Sequence, residues 1–167
     1  MTLYGARQSP LHVALLEPEI PPNTGNIARL CGATFTPLHL IGRLGFRVDQ
    51  QAVRRAGLDY WNEVEIHYHR SIESLQSALP ESRLVLVETS GGQLYSDFAY
   101  RHQDCLLFGR ETSGLPTGLL AAHAGNCIRI PMPNPAIRSL NLANSVAIVL
   151  YEALRQLSPT ADSHSIR

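Results

Sequence analysis

Leu11-His12-Val13-Ala14-Leu15-Leu16, followed by Glu17-Pro18-Glu19-Ile20-Pro21-Pro22 and then by Asn23-Thr24-Gly25-Asn26-Ile27-Ala28-Arg29-Leu30-Cys31, is the stretch that decides the fold. Its first six residues are a short apolar run rich in strand formers, and the proline-bearing segment behind them reads as a turn or extended loop. Asn23-Thr24-Gly25 offers an N-cap, and Ile27, Leu30, Cys31 and Thr34 recur at helical spacing, so a helix follows. The unit is strand, loop, helix, and the rest of the chain repeats it. Leu38–Ile41 reads as a strand and Asp49–Ala56 as a helix. Val64–Tyr68, Ser71–Leu79 and Arg83–Glu88 continue the alternation, and so do Asp104–Phe108 and Leu115–Ala122. Asn126–Ile130 is a last strand. Leu142, Val146, Val149, Leu150, Ala153, Leu154 and Leu157 then mark a long amphipathic helix over Asn141–Leu157. Strands that are almost continuously apolar and alternate with helices predict an α/β fold, a parallel sheet covered on both faces by helices.

Three segments divide the chain: a flexible lead-in over 1–10, one domain over 11–157 and a flexible tail over 158–167. At 167 residues and 44% hydrophobic content, a single domain can bury its core without disulfides or a structural metal. Cys31, Cys105 and Cys127 are far apart, odd in number and form no C-x-x-C pair, so they read as small buried hydrophobes. His12, His39, His67, His69, His102, His123 and His164 have no metal-ligand spacing, and no metal is expected. No apolar run approaches the roughly 20 residues of a membrane span, and the start lacks the basic and apolar stretch of a secretory signal. A cytoplasmic protein is expected.

The formal net charge is zero, yet the arginines cluster. Arg43, Arg47, Arg54 and Arg55 stand against the single acid Asp49, and Arg129 and Arg138 flank a proline-rich loop. They can form a solvated face or a phosphate-binding patch. Trp61 can stack on a base, though a place in the core or at a subunit contact is the better reading.

In open α/β sheets ligands sit beyond the carboxyl ends of the strands, so chemistry is sought in the loops there. Neither the G-x-G-x-x-G of a dinucleotide site nor the G-x-x-x-x-G-K-[ST] of a phosphate loop occurs, which disfavours a nicotinamide oxidoreductase. Three other loops carry concentrated polar or glycine residues. After the first strand, Asn23, Asn26 and Arg29 are three residues apart, which places them near one helix face; an N-cap plus a surface arginine is the plainer alternative. Phe108-Gly109-Arg110-Glu111-Thr112-Ser113-Gly114-Leu115-Pro116 joins a strand to a helix, and its glycines allow backbone to approach a ligand. Ile130-Pro131-Met132-Pro133-Asn134-Pro135-Ala136-Ile137-Arg138-Ser139-Leu140-Asn141 is stiffened by proline and runs into Ser139 and Asn141, which can cap a helix or face a ligand.

In this order and spacing, E-P-E-I-P-P-N-T-G-N-I-A-R-L-C, R-R-A-G-L-D-Y-W, F-G-R-E-T-S-G-L-P and I-R-I-P with R-S-L-N-L-A-N-S-V and Y-E-A resemble the motifs of the SPOUT-class RNA 2′-O-methyltransferases, in their TrmL (YibK) branch. The resemblance runs from about Leu11 to Leu157. It implies a C-terminal trefoil knot, which periodicity alone does not reveal. It also implies a homodimer, S-adenosyl-L-methionine (AdoMet) as the methyl donor, and methylation of the ribose of the wobble nucleotide in the tRNA anticodon loop, on cytidine or modified uridine.

Carried over by residue, the resemblance places AdoMet contacts at Val87, Gly109, Ile130 and Ser139. Arg29, Glu111 and Asn141 become the catalytic candidates, and Asn23, Arg138 and Tyr151 the substrate-handling ones. Arg110 departs from the family's usual proline, and Pro133, Pro135, Ala136 and Ile137 depart from a more polar loop. Gly109→Val is expected to abolish AdoMet binding and spare the fold, and Val149 and Leu150 are expected to help form the dimer surface. The competing reading is a non-catalytic tRNA-binding module with a degenerate knot, separable by whether AdoMet binds at micromolar concentration.

Overall fold

The computed structural model describes residues 9–45 and 61–158. The helix expected over Asp49–Ala56, together with Arg47, Arg54, Arg55 and most of the lead-in and tail, lies outside the described residues. In chain order the elements are β1 (His12–Leu16), α1 (Pro21–Thr34), β2 (Leu38–Ile41), β3 (Ile66–His69), α2 (Ile72–Ala78), β4 (Leu84–Val87), β5 (Gln93–Leu94), β6 (Cys105–Phe108), α3 (Thr117–Ala122), β7 (Cys127–Arg129) and α4 (Leu142–Leu157). The strands form one seven-stranded sheet in the order β3-β2-β1-β6-β4-β7-β5, with every pairing parallel.

Both faces of the sheet are packed, which is why β2 and β6 are buried at every position. Val13, Leu15, Leu38, Leu40, Leu106 and Phe108 face one core, closed by Ile27 and Cys31 of α1 and by Val146, Val149, Leu150, Ala153 and Leu154 of α4. Ala14, Ile41, Leu86, Cys105 and Leu107 face the other, closed by Leu75 of α2 and by Leu115 and partly Leu119 and Leu120. All three cysteines are buried, and burial pushes the Cys31 and Cys105 thiols up to about 12, so both are inert hydrophobes. Trp61 packs half-buried against the first core.

Three expectations need correction. The helix begins at Pro21, with Ile20 as N-cap, rather than at Asn23. Proline suits the first turn of a helix because it has no N–H to leave unpaired, so the loop is two residues shorter than the prolines implied. The strand β5 was not anticipated, since its two residues carry no apolar run and are held only by pairing with Ile128 and Arg129. Val149 and Leu150 are completely buried under the sheet and cannot form a dimer surface.

At the β3 edge of the second face, four histidines gather. His12 Nδ1 is 3.1 Å from His39 Nε2, and His39 Nδ1 is 2.9 Å from His69 Nε2. Gln103 Oε1 is 3.2 Å from His12 Nε2, while His67 stacks on His39 and reaches the Glu65 carboxylate at 2.8 Å. A carbonyl oxygen only accepts, so Gln103 fixes the direction of the chain: each of His12, His39 and His69 carries its proton on Nε2 and donates to the preceding group. Burial pushes the His39 imidazole down to about 3, helped by His12, His67 and His69, and burial also lowers His12 and His69.

Candidate functional site

The carboxyl ends of β4, β6 and β7 open on a cleft of about 490 Å³. Val87 ends β4, Gly109 follows β6, and Ile130 follows β7; all three line the cleft. Ser139, Asn141 and Arg138 reach it from the exposed proline-rich segment before α4, and Asn23 and Glu111 close its remaining side. Eight of the ten residues singled out from the sequence therefore share one site.

Arg29 and Tyr151 do not line it. A step of three residues falls short of a helical turn by about 60°, so two such steps carry Arg29 well off the face that holds Asn23. Asn23 is buried, while Asn26 and Arg29 are exposed. Tyr151 is 53% exposed, on the side of α4 away from its core stripe.

A polar chain joins the three loops. Asn23 Nδ2 donates to Glu111 Oε1 at 3.2 Å, and Asn141 Nδ2 donates to Asn23 Oδ1 at 3.0 Å. A carboxylate can only accept, so Glu111 orients the Asn23 amide, and the amide in turn orients Asn141. Asn141 also caps α4, its Oδ1 accepting from the Asn144 N–H at 3.2 Å, so capping and facing the site are both true of it. Glu111 further accepts the N–H groups of Glu19 and Ile20 at 2.9 and 3.1 Å. Those donors precede α1, where a carboxylate is favoured by the helix dipole. With three donors on it, Glu111 acts first as the residue that holds the approach to α1 against the loop after β6.

That join is reciprocal. The Glu19 carboxylate accepts from the Thr112 N–H at 3.1 Å and from its hydroxyl at 2.8 and 3.0 Å, and Arg110 pairs with Glu17. The arginine that departs from the family pattern thus binds one cleft loop to another. Asn23→Asp would set two carboxylates against each other at the position of a 3.2 Å hydrogen bond. At pH 7.5 it is expected to cost about 1–3 kcal/mol of stability, and the gap to wild type should narrow as pH falls and the two groups share a proton. Denaturant titrations of both proteins at several pH values measure this; a constant gap would exclude the repulsion.

Gly109 needs a different account from the one its sequence suggested. A Cβ there would lie 2.2 Å from the Gly114 carbonyl carbon and 2.4 Å from Leu115 N. The turn folds back so tightly, with Arg110 and Gly114 exchanging hydrogen bonds at 3.2 and 2.9 Å, that no side chain fits under it. Gly109→Val is therefore expected to displace the turn and lower thermal stability together with AdoMet affinity, rather than to fill the ligand's space and spare the fold. An unchanged melting temperature with lost binding would restore the simpler view.

Sequence reading also missed Glu88, Thr89, Met132 and Leu142, which line the same cleft. The resemblance pointed to Val87 alone, and Glu88 fell inside the strand expected over Arg83–Glu88. Arg129, grouped with Arg138 as local positive charge, instead donates to the Gly91 carbonyl at 2.7 Å and holds the loop after β4. Among the described residues no three histidines, cysteines or acids are placed to hold a metal ion, and no helix is long and apolar enough to cross a membrane.

The SpoU rRNA Methylase family matches residues 10–151, and the chain belongs to this family, a class of AdoMet-dependent RNA methyltransferases. A tRNA (cytidine(34)-2′-O)-methyltransferase of Yersinia pestis is 49% identical over 154 residues, spanning 88% of this chain and 94% of the relative. A solved structure described as giving structural insights into the 2-OH methylation of C/U34 on tRNA is 44% identical, covers 89% of this chain and 98% of its own, and superposes with a TM-score of 0.82. An AdoMet-bound rRNA methyltransferase from Sinorhizobium meliloti is 30% identical, with a TM-score of 0.74, over 88% of this chain but only 56% of its own.

Proposed function

We propose that this chain transfers the methyl group of AdoMet to the ribose 2′-hydroxyl of the wobble nucleotide, position 34, of tRNA, on cytidine or modified uridine. The observation that carries this is the gathering of the three loops on one cleft at the ends of β4, β6 and β7. Its substrate follows the relatives that match along nearly their whole length, which are tRNA rather than rRNA enzymes. Residues 11–157 act as one cytoplasmic domain, and the segment after β7 forms the trefoil knot around the cleft.

The lining fits AdoMet. Val87, Phe108, Ile130, Met132 and Leu142 supply apolar surface for an adenine, and Glu88 and Glu111 supply negative charge for a cationic ligand. AdoMet brings a methyl made electrophilic by its sulfonium, so the chain's work is chiefly to align the donor and the ribose oxygen. Ser139 and Asn141 present polar groups at the cleft mouth, and the Glu111–Asn23–Asn141 chain keeps them in register with α1. Arg138, exposed on the cleft rim, and Arg43 contact RNA phosphates, and Arg29 serves the RNA side rather than the AdoMet wall. The working unit is a homodimer. Its contact uses apolar side chains exposed around the cleft, Ile20 at 42%, Ile137 at 52% and Leu140 at 37%, in place of the buried Val149 and Leu150.

Nucleoside mass spectrometry of tRNA from cells with and without the protein tests the reaction. A ribose-methylated nucleotide at position 34 should vanish with the protein; loss of a base methylation or of an rRNA methylation instead would refute the substrate. Light scattering at micromolar concentration should report twice the monomer mass, and a monomer would refute the dimer.

A further inference from the structure

We propose that Glu88 is a positioning residue of this cleft: its carboxylate clamps the turn after β6 to the loop after β4, and Gly114 is the partner that lets it approach. The inference rests on the reading of the cleft as an AdoMet site.

Glu88 stands one residue beyond β4, half-buried in the cleft wall. One carboxylate oxygen accepts the Leu115 N–H at 2.9 Å. The other accepts the Thr89 N–H at 2.9 Å and its hydroxyl at 3.2 Å. The backbone of Glu88 is tied as well, its N–H donating to the Ile128 carbonyl and its carbonyl accepting the Gly91 N–H, both at 3.0 Å. One residue therefore bonds to the segments that follow β4 and β6 and to β7 itself. These are the three that wall the cleft.

Gly114 makes the approach possible in two ways. Its φ of +66° is strained for any residue with a side chain, and a Cβ there would sit 2.3 Å from Glu88 Oε2. The carboxylate occupies the space the missing side chain leaves. Hydrogen bonds to a charged acceptor are the stronger kind, and this one fixes where the 110–114 turn, and with it the backbone around Gly109, stands against Val87. Glu88 thus shapes the ligand's slot through backbone that it holds, without itself having to touch the methyl donor.

The test is calorimetric AdoMet binding by purified wild type, Glu88→Ala, Glu88→Gln, Gly114→Ala and the Glu88→Ala/Gly114→Ala double variant. Glu88→Ala should weaken AdoMet about tenfold or more, because the Leu115 N–H loses a charged partner. Glu88→Gln keeps one acceptor oxygen for Leu115 and should fall between the two. Gly114→Ala should also weaken binding, and the double variant should lose less than the product of the single losses, because the clash and the clamp are the same contact. In turnover, KM for AdoMet should rise while the tRNA dissociation constant stays put, which a merely unfolded fraction would not produce. Affinity within twofold of wild type in both Glu88 variants, or strictly multiplicative losses in the double variant, would overturn the clamp. Wild type that binds no AdoMet would overturn the reading of the cleft instead.

Discussion

Arg29→Ala is expected to bind AdoMet as wild type does and to transfer methyl groups at least about a hundredfold more slowly, the usual cost of removing one group that stabilises charge developing in a transition state. Its side chain lies on an exposed face of α1, outside the cleft lining, which is why the methyl donor should not sense its loss. Its expected partner is the RNA. A guanidinium carries a positive charge, so its expected role is toward a phosphate or a developing alkoxide. Arg29→Lys separates these roles: a point charge should restore phosphate binding better than it restores the rate. Single-turnover methylation with tRNA and, in parallel, AdoMet calorimetry check the prediction. Full transfer by Arg29→Ala would remove it from the active site, and lost AdoMet binding would place it in the cleft after all.

Acidification should unfold this protein through its histidine chain. The His39 imidazole is 3% exposed and is pushed down to about 3 from an ordinary value of 6.5, so in the folded protein it stays neutral where the unfolded chain takes up a proton. Above pH 6.5 both states are neutral and the group is silent. Below it the unfolded state binds more protons, and stability falls by about 1.4 kcal/mol per pH unit for this one group. The loss continues until pH approaches the folded value near 3.

The hydrogen bonds give the structural reason. A second proton on His39 would have to sit on Nδ1, facing the Nε2 proton of His69, and would break a chain whose direction Gln103 sets. His12 and His69, also lowered, add to the slope, whereas the Glu65 carboxylate works the other way by raising His12. Urea titrations between pH 6.5 and 5, above the range where most carboxylates protonate, should show wild type losing about 2 kcal/mol. His39→Leu should be flatter over the same range. Equal slopes for the two proteins would mean that the acid sensitivity lies elsewhere.

The architecture was legible from the sequence because its cause is local. A strand buried on both faces has to be apolar at nearly every position, and β1, β2, β4 and β6 each announce themselves that way. The helix α4 shows its buried stripe, Val146, Val149, Leu150, Ala153 and Leu154, at helical spacing. The resemblance carried by the motifs pointed to the cleft residues, and eight of its ten line one cleft. The two-residue β5 escaped because nothing in Gln93 and Leu94 distinguishes them until β7 lies alongside.

Composition and periodicity thus determined the fold class, and the resemblance carried by the motifs pointed to the family and to most of the residues around the cleft, because those features are written in runs of neighbouring residues. Tertiary structure alone decided how the residues are used. It showed that Glu111 spends its lone pairs on α1, that Arg110 and Glu17 join two cleft loops, and that Gly109 must be small to admit its own chain. It turned Arg29 off the face of Asn23 and linked His12, His39 and His69 across three strands. Each of these depends on contacts between residues distant in sequence or on an angle accumulated along a helix, and neither quantity is present in a local pattern.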